Sequence, residues 1–161
     1  MPADLERRSD WTAFERAAPG VVAALKAIGQ AVDDSGLEKD LTELVKLRAS
    51  QINGCAFCLQ LHLNLARKLG LPQAKTDLLT TWRDAGIFTA RERAALAWTE
   101  ALTMMAQQHI TDAVYAQVRA AFTESEVAYL TATVGAINAW NRIAGALQFA
   151  PPIPTQSPKS A

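Results

Sequence analysis

The stretch Glu43-Leu-Val-Lys-Leu-Arg-Ala-Ser-Gln-Ile-Asn-Gly-Cys55-Ala-Phe-Cys58-Leu-Gln-Leu-His62 decides how this chain reads. It shows no alternating strand pattern. Leu44, Val45 and Leu47, with Leu41 just upstream, recur at helical spacing, and Asn53-Gly54 ends the run. A second helix opens at Cys55 or just before it and reaches Leu69, where Gly70 stops it. At about 100° per residue, Cys58 is turned by roughly 3 × 100° from Cys55 and His62 by roughly 7 × 100°. All three then fall within a sector of roughly 60°. The cysteines are spaced i, i+3, and Cys58 and His62 i, i+4, the spacings at which helix side chains touch.

The same reading extends outward. Asp10 caps a short helix that stops before Pro19, and a second helix runs from about Pro19 to Asp34, with Gly36 after it. The helix before the cysteines covers about Leu37 to Ile52. Pro72 to Asp84 reads as a short helix and a loop. Thr89-Ala-Arg-Glu92 is a capping box and starts a helix to about Gln107; Thr111 or Asp112 starts the next, to about Phe122. Thr123-Glu-Ser-Glu126 is a second capping box, opening a long last helix to about Phe149. Four prolines in the tail from Ala150 to Ala161 prevent a helix there. The expectation is an all-α fold: one compact domain of about six to eight helices over residues 10–150. A flexible N-terminus (1–9) and a Pro-rich flexible tail (151–161) flank it. The last helix is apolar nearly all round (Val127, Leu130, Val134, Ile137, Trp140, Ile143, Leu147), which calls for burial on more than one side. A second subunit covering part of it, and hence a homo-oligomer, is expected.

Composition narrows the function. The chain has 161 residues, half of them apolar, with 16 basic and 16 acidic side chains. That length fits one domain, and the ordinary balance argues against disorder. Zero net charge removes a global pull on nucleic acid, so no nucleic-acid partner is expected. The start, MPADLERRSDW, lacks the apolar run of a secretory signal, and no stretch approaches the roughly 20 apolar residues of a membrane span. A cytoplasmic protein without a membrane partner is expected. Two cysteines are too few to staple a secreted scaffold, and a structural disulfide is uncommon in the cytoplasm. A Cys-x-x-Cys pair there points to redox chemistry, a metal, or a passive core role.

Thiol chemistry suits the pair. The thiolate is the attacking species, and a helix N-terminus stabilises it with free amides and a positive dipole. His62 can accept the thiol proton or give one to a leaving oxygen, and the second cysteine can close an internal disulfide. Gly54 folds the two helices side by side, which brings Glu43 within reach of His62 as the orienting carboxylate of a nucleophile–base–orienter set. Taken alone, Glu43 also reads as a solvated helix charge. Zinc would need four ligands, and only His62, His109 or Glu43 could complete a set with one Cys-x-x-Cys. Lys46 and Arg48 read as a solvated face, Trp82, Trp98, Trp140, Met104 and Met105 as core or interface, and His109 as structural or solvent-facing. No phosphate loop, Ser–His–Asp order or basic–aromatic stripe stands out.

The quoted stretch resembles the core motif of the AhpD-like alkylhydroperoxidases, in the carboxymuconolactone decarboxylase superfamily. Arg91–Leu102 and Ile137-Asn-Ala-Trp140-Asn-Arg142 resemble later segments of that family, so the likeness covers about residues 10 to 150. It implies an AhpD-like helical fold assembling as a trimer or hexamer. It also implies a thiol-dependent alkyl hydroperoxide reductase that uses a redox cysteine pair and no metal, haem or flavin cofactor. A small hydroperoxide would be the substrate, and an external dithiol or thioredoxin-like protein the electron donor. By position, Cys55 and Cys58 match the redox cysteines, His62 the histidine four residues after the second, and Glu43 the glutamate twelve before the first. One departure stands out: Phe57 occupies the place of a second family histidine, so a proton relay through that histidine does not carry over. The alternatives are a disulfide reductase serving a partner peroxidase, or a non-redox lyase or isomerase like the cysteine-free members. Helix position favours Cys55 as the more acidic thiol, whereas Cys58 adjoins His62, and the nucleophile stays unassigned.

Overall fold

The computed structural model describes residues 7–155. They form α1 (Trp11–Ala17), α2 (Pro19–Asp34), α3 (Lys39–Asn53), α4 (Ala56–Leu69), α5 (Gln73–Asp77), a single 3-10 turn (Leu79–Thr81), α6 (Trp82–Ala85), α7 (Ala90–Thr103), α8 (Asp112–Ala121) and α9 (Glu124–Ala146). No strand occurs among the described residues. The start signals behave as their chemistry requires. Asp10 Oδ1 accepts from the Ala13 amide at 2.8 Å, Pro19 sits in the first turn of α2, and both Thr–Glu capping boxes form, at Thr89 and Thr123.

Three details depart from the sequence pattern. Pro72–Asp84 is not one helix and a loop but α5, the 3-10 turn and α6, pinned by buried Leu79 and Trp82. These short pieces bring the helix count among the described residues to nine. α7 stops at Thr103 instead of Gln107: the Met105 amide slips to the Leu102 carbonyl at 3.4 Å, and the Gln107 amide closes a tight turn on the Met104 carbonyl at 2.8 Å. Met105 is therefore 62% exposed rather than part of the core. α9 stops at Ala146: the Gln148 amide bonds to the Gly145 carbonyl at 3.2 Å and the Phe149 amide to that of Ala144 at 3.0 Å. This Schellman closure needs a left-handed residue, Gln148 at φ 57°, and returns Phe149 to the core.

α3 is the central helix, packed against α4, α7 and α9. Leu44, Val45 and Leu47 are fully buried in it, each contributing about 1.5–3 kcal/mol relative to exposure. α9 lies on α2, α3, α4 and α7 and buries Val127, Leu130, Val134, Ile137 and Ala144 within this chain. Its outward line is small: Ala128, Ala132 and Gly135 are exposed. The ends lie against the helices. Ser9 N donates to Leu147 O at 3.0 Å, and Asn64 Nδ2 donates to Pro152 O at 2.8 Å. The remainder of the expected flexible segments, residues 1–6 and 156–161, lies outside the described residues. Among the described residues no helix is long and apolar enough to cross a membrane.

Candidate active site

The site forms where α3 hands over to α4. Gly54 ends α3 at φ +65°, a left-handed conformation that a side chain disfavours. The Cys55 amide then bonds back to Ser50 O at 3.1 Å. Cys55 becomes the N-cap of α4, and its Sγ accepts the Cys58 backbone amide at 3.3 Å. A sulfur thus takes the place normally held by a Ser, Thr or Asp oxygen and meets the amide charge of the helix start. The two-residue connection lays α4 along α3, and Glu43 meets His62: Oε2 and Nδ1 are 2.7 Å apart. Glu43 Oε1 accepts from Lys46 Nζ at 3.0 Å.

Glu43 is only 1% exposed. Burial pushes its carboxyl up, but the hydrogen bond and charge of His62 and the charge of Lys46 outweigh that and hold it below its ordinary value. With Nδ1 facing this carboxylate, the ring hydrogen belongs on Nδ1 and the lone pair on Nε2. The cysteines are each 2% exposed and titrate as a pair. The hydrogen bond from the Cys58 thiol is the largest influence on Cys55. Burial opposes it, and the Cys58 amide, the Asn141 side chain and the Phe57 amide add to it, so the Cys55 thiol is lowered to about 7. Cys58 moves the other way, raised by its bond to Cys55 and by burial, with Asn141 only partly countering.

A cavity of about 230 Å³ opens beside this pair. Its walls are mainly apolar, with Trp11, Ile28, Phe57, Leu61, Ile137 and Trp140 prominent, and Cys58, His62 and Lys46 stand on its reactive side. Cys55 is not among the lining residues. Phe57 packs edge-on against Phe149, ring centroids 5.4 Å apart, so the place where the resemblance puts a second histidine is an apolar wall. Trp11 of α1 meets Trp140 of α9 with ring centroids 5.4 Å apart. Of the remaining titratable candidates, His109 is exposed on another part of the molecule. Among the described residues no group of three or more His, Cys, Asp or Glu side chains is placed to hold a metal ion.

Two residues read from sequence as a solvated face are ion-paired inside. Lys46 faces Glu43. Arg48 Nε donates to Glu100 Oε1 at 2.8 Å, away from the cavity. Asn141 escaped the sequence reading: it comes from α9, 91 positions from its Ser50 partner. No local spacing signals such a contact.

A family model for carboxymuconolactone decarboxylases matches residues 19–101, a span that includes Glu43, Cys55, Cys58 and His62. The chain belongs to the carboxymuconolactone decarboxylase family. It is similar to the uncharacterized protein YdfG of Bacillus subtilis (strain 168), 34% identical over 113 residues, covering 70% of this chain and 77% of YdfG. Among solved structures, it is similar to ATU0492 of Agrobacterium tumefaciens, a protein of unknown function proposed to be the antioxidant defence protein AhpD. The two are 37% identical, with a TM-score of 0.86 over 92% of this chain and 100% of ATU0492. The fold of this family member is therefore AhpD-like. Apo debrominase Bmp8 is also similar in fold, with a TM-score of 0.76 at 17% identity over 84% of this chain and 73% of Bmp8. A carboxymuconolactone decarboxylase fold thus frames more than one chemistry, and the reaction has to be argued from the site.

Proposed function

We propose that this chain is a cysteine-based peroxidase that reduces small organic hydroperoxides through Cys58 and Cys55. The observation that carries the reading is the shared wall: Cys58 and His62 face one apolar cavity, and the Cys58 hydrogen bond stabilises negative charge on Cys55 directly behind it. A cavity of about 150 Å³ accepts benzene, so the 230 Å³ here has room for a modest organic group next to the peroxide. Geometry selects the attacking atom before acidity does. Cys58 lines the cavity and attacks after passing its proton to the Cys55 thiolate, which gives the minor but intrinsically more nucleophilic form of the singly ionised pair.

The Cys58 thiolate attacks the terminal peroxide oxygen, the O–O bond breaks, and the alkoxide takes a proton to leave as the alcohol. That proton comes from solvent, and His62, held by Glu43, is the group placed to take it up at Nε2 and pass it on. Cys58 is now a sulfenic acid. Cys55 attacks its sulfur, water leaves, and the Cys55–Cys58 disulfide closes. An external dithiol restores the pair and is itself oxidised to a disulfide. A homo-oligomer belongs to the same proposal, and sedimentation at the monomer mass of 17.4 kDa at micromolar concentration would remove it.

The lowered Cys55 thiol supports a second reading, a disulfide reductase for a separate peroxidase, because an acidic thiol is a good leaving group in exchange. Trapping separates the two. In Cys55→Ser treated with one equivalent of hydroperoxide, dimedone should label Cys58. An unlabelled Cys58 with its thiol intact contradicts the peroxidase reading.

A further inference from the structure

Asn141 is the polar side chain that α9 brings to the cysteines. Ile137 and Ala144, one turn to either side on the same face, pack in one apolar cluster with Cys55 and Cys58. Asn141 is 4% exposed, and its amide is oriented from two sides. Oδ1 accepts from Asn53 Nδ2 at 2.9 Å, and Nδ2 donates to Ser50 Oγ at 3.0 Å. Ser50 can only accept there, because its own hydroxyl donates to Lys46 O at 2.7 Å. That fixes which end of the amide is nitrogen. An amide nitrogen carries two hydrogens, and Ser50 takes one.

We propose that Asn141 directs its second amide hydrogen to the cysteine pair and stabilises the thiolate on which the peroxidase reading rests. The arrangement resembles an oxyanion hole, a preoriented donor aimed at an anion in a dry site, here aimed at sulfur. Both thiols are held lower by this amide than burial and their mutual bond would leave them. The other charged or titratable groups lining the cavity are Lys26 on α2, Lys46 on α3 and His62 on α4, with Glu43 behind the last two. Arg142, beside Asn141 on α9, is turned to Asn138. None of these supplies a neutral donor from the α9 side. Asn141 lies outside the matched family span of residues 19–101.

The test is the thiolate absorbance titration of the reduced full chain, for wild type, Asn141→Ala and Asn141→Leu. Loss of one donor to an anion should raise the pair's first transition by about one to two pH units. A side chain that only braces α9 against α3 would lower the melting temperature and leave the titration in place. Wild type supplies a second readout that no substitution can unfold. The Asn141 side-chain amide resonances should move with the pair's first transition and lose that movement in the disulfide form. A folded variant that titrates with wild type, or amide resonances indifferent to the pair, overturns the proposal. Neither measurement uses peroxide, so a failure of the peroxidase reading leaves both intact.

Discussion

His62 Nδ1 and Glu43 Oε2 lie 2.7 Å apart although 19 positions separate them in the chain. The contact joins α3 to α4 and places a buried anion behind the histidine that faces the cavity. Its carboxyl is held below the ordinary value, so its contribution to stability is complete above the unfolded pKa, about 4.3, and is lost as pH falls through the folded one. Glu43→Gln should therefore flatten the acid limb of the stability curve below about pH 4.3. At neutral pH it should cost about 2–3 kcal/mol, less than a fully buried pair because Lys46 and His62 reach solvent. Urea unfolding at several pH values checks both; an acid limb unchanged from wild type removes Glu43 as the anion of the site.

The cysteine pair should lose its first proton near pH 7, where the Cys55 thiol is placed, and keep the second through the neutral range. Thiolate absorbance of the reduced protein should rise around that pH. Cys58→Ala removes the donor thiol and should move the transition upward. A single transition near pH 8.5, the ordinary thiol value, would show that the helix cap confers nothing on Cys55.

Gly54 sets the turn that presents Cys55. A Cβ there meets nothing within 4 Å, so the penalty for Gly54→Ala is backbone strain at φ +65° alone. About 1 kcal/mol is expected, a fall of a few degrees in melting temperature. The change should also raise the Cys55 thiol, because the cap geometry relaxes with the turn. Calorimetry and the thiol titration read the two effects separately.

Glu100 ties three elements. It accepts from Arg48 on α3 at 2.8 Å, from Trp82 Nε1 on α6 at 2.8 Å, and from Arg83. Burial alone would raise its carboxyl, but these three partners outweigh it and hold it low. Glu100→Ala strands a half-buried arginine and should cost about 3 kcal/mol, measured by chemical denaturation. Glu100 does not line the cavity, so peroxide turnover per folded molecule should stay near that of wild type.

Local spacing made much of this molecule legible. Cys58 and His62 share one helix face by their i, i+4 spacing, whereas Cys55 is the extended N-cap of α4 and does not line the cavity; a glycine at the turn implied the approach of Glu43. Capping chemistry at Asp10, Thr89 and Thr123 placed three helix starts. What local spacing could not show is distance in the chain. Arg48 looks like a solvated charge until α7 supplies Glu100, whereas the Lys46–Glu43 pair is an i, i+3 contact within α3. Asn141 gains its meaning from Ser50 and Asn53 on a helix almost ninety residues away. The early stop of α7 lies at the Met105 amide, which takes the Leu102 carbonyl three residues back, a switch that propensity does not encode.

The central claim is that Cys58, at the cavity wall, reduces hydroperoxide with Cys55 as its partner. The most direct measurement is consumption of a small organic hydroperoxide by the pre-reduced full chain, with wild type, Cys55→Ser and Cys58→Ser compared in stopped flow. The expected result is one equivalent consumed by wild type with disulfide formation, one equivalent by Cys55→Ser more slowly and without it, because that variant lacks the thiolate that takes the Cys58 proton, and a rate near background for Cys58→Ser. Equal consumption by Cys58→Ser and wild type would contradict the claim.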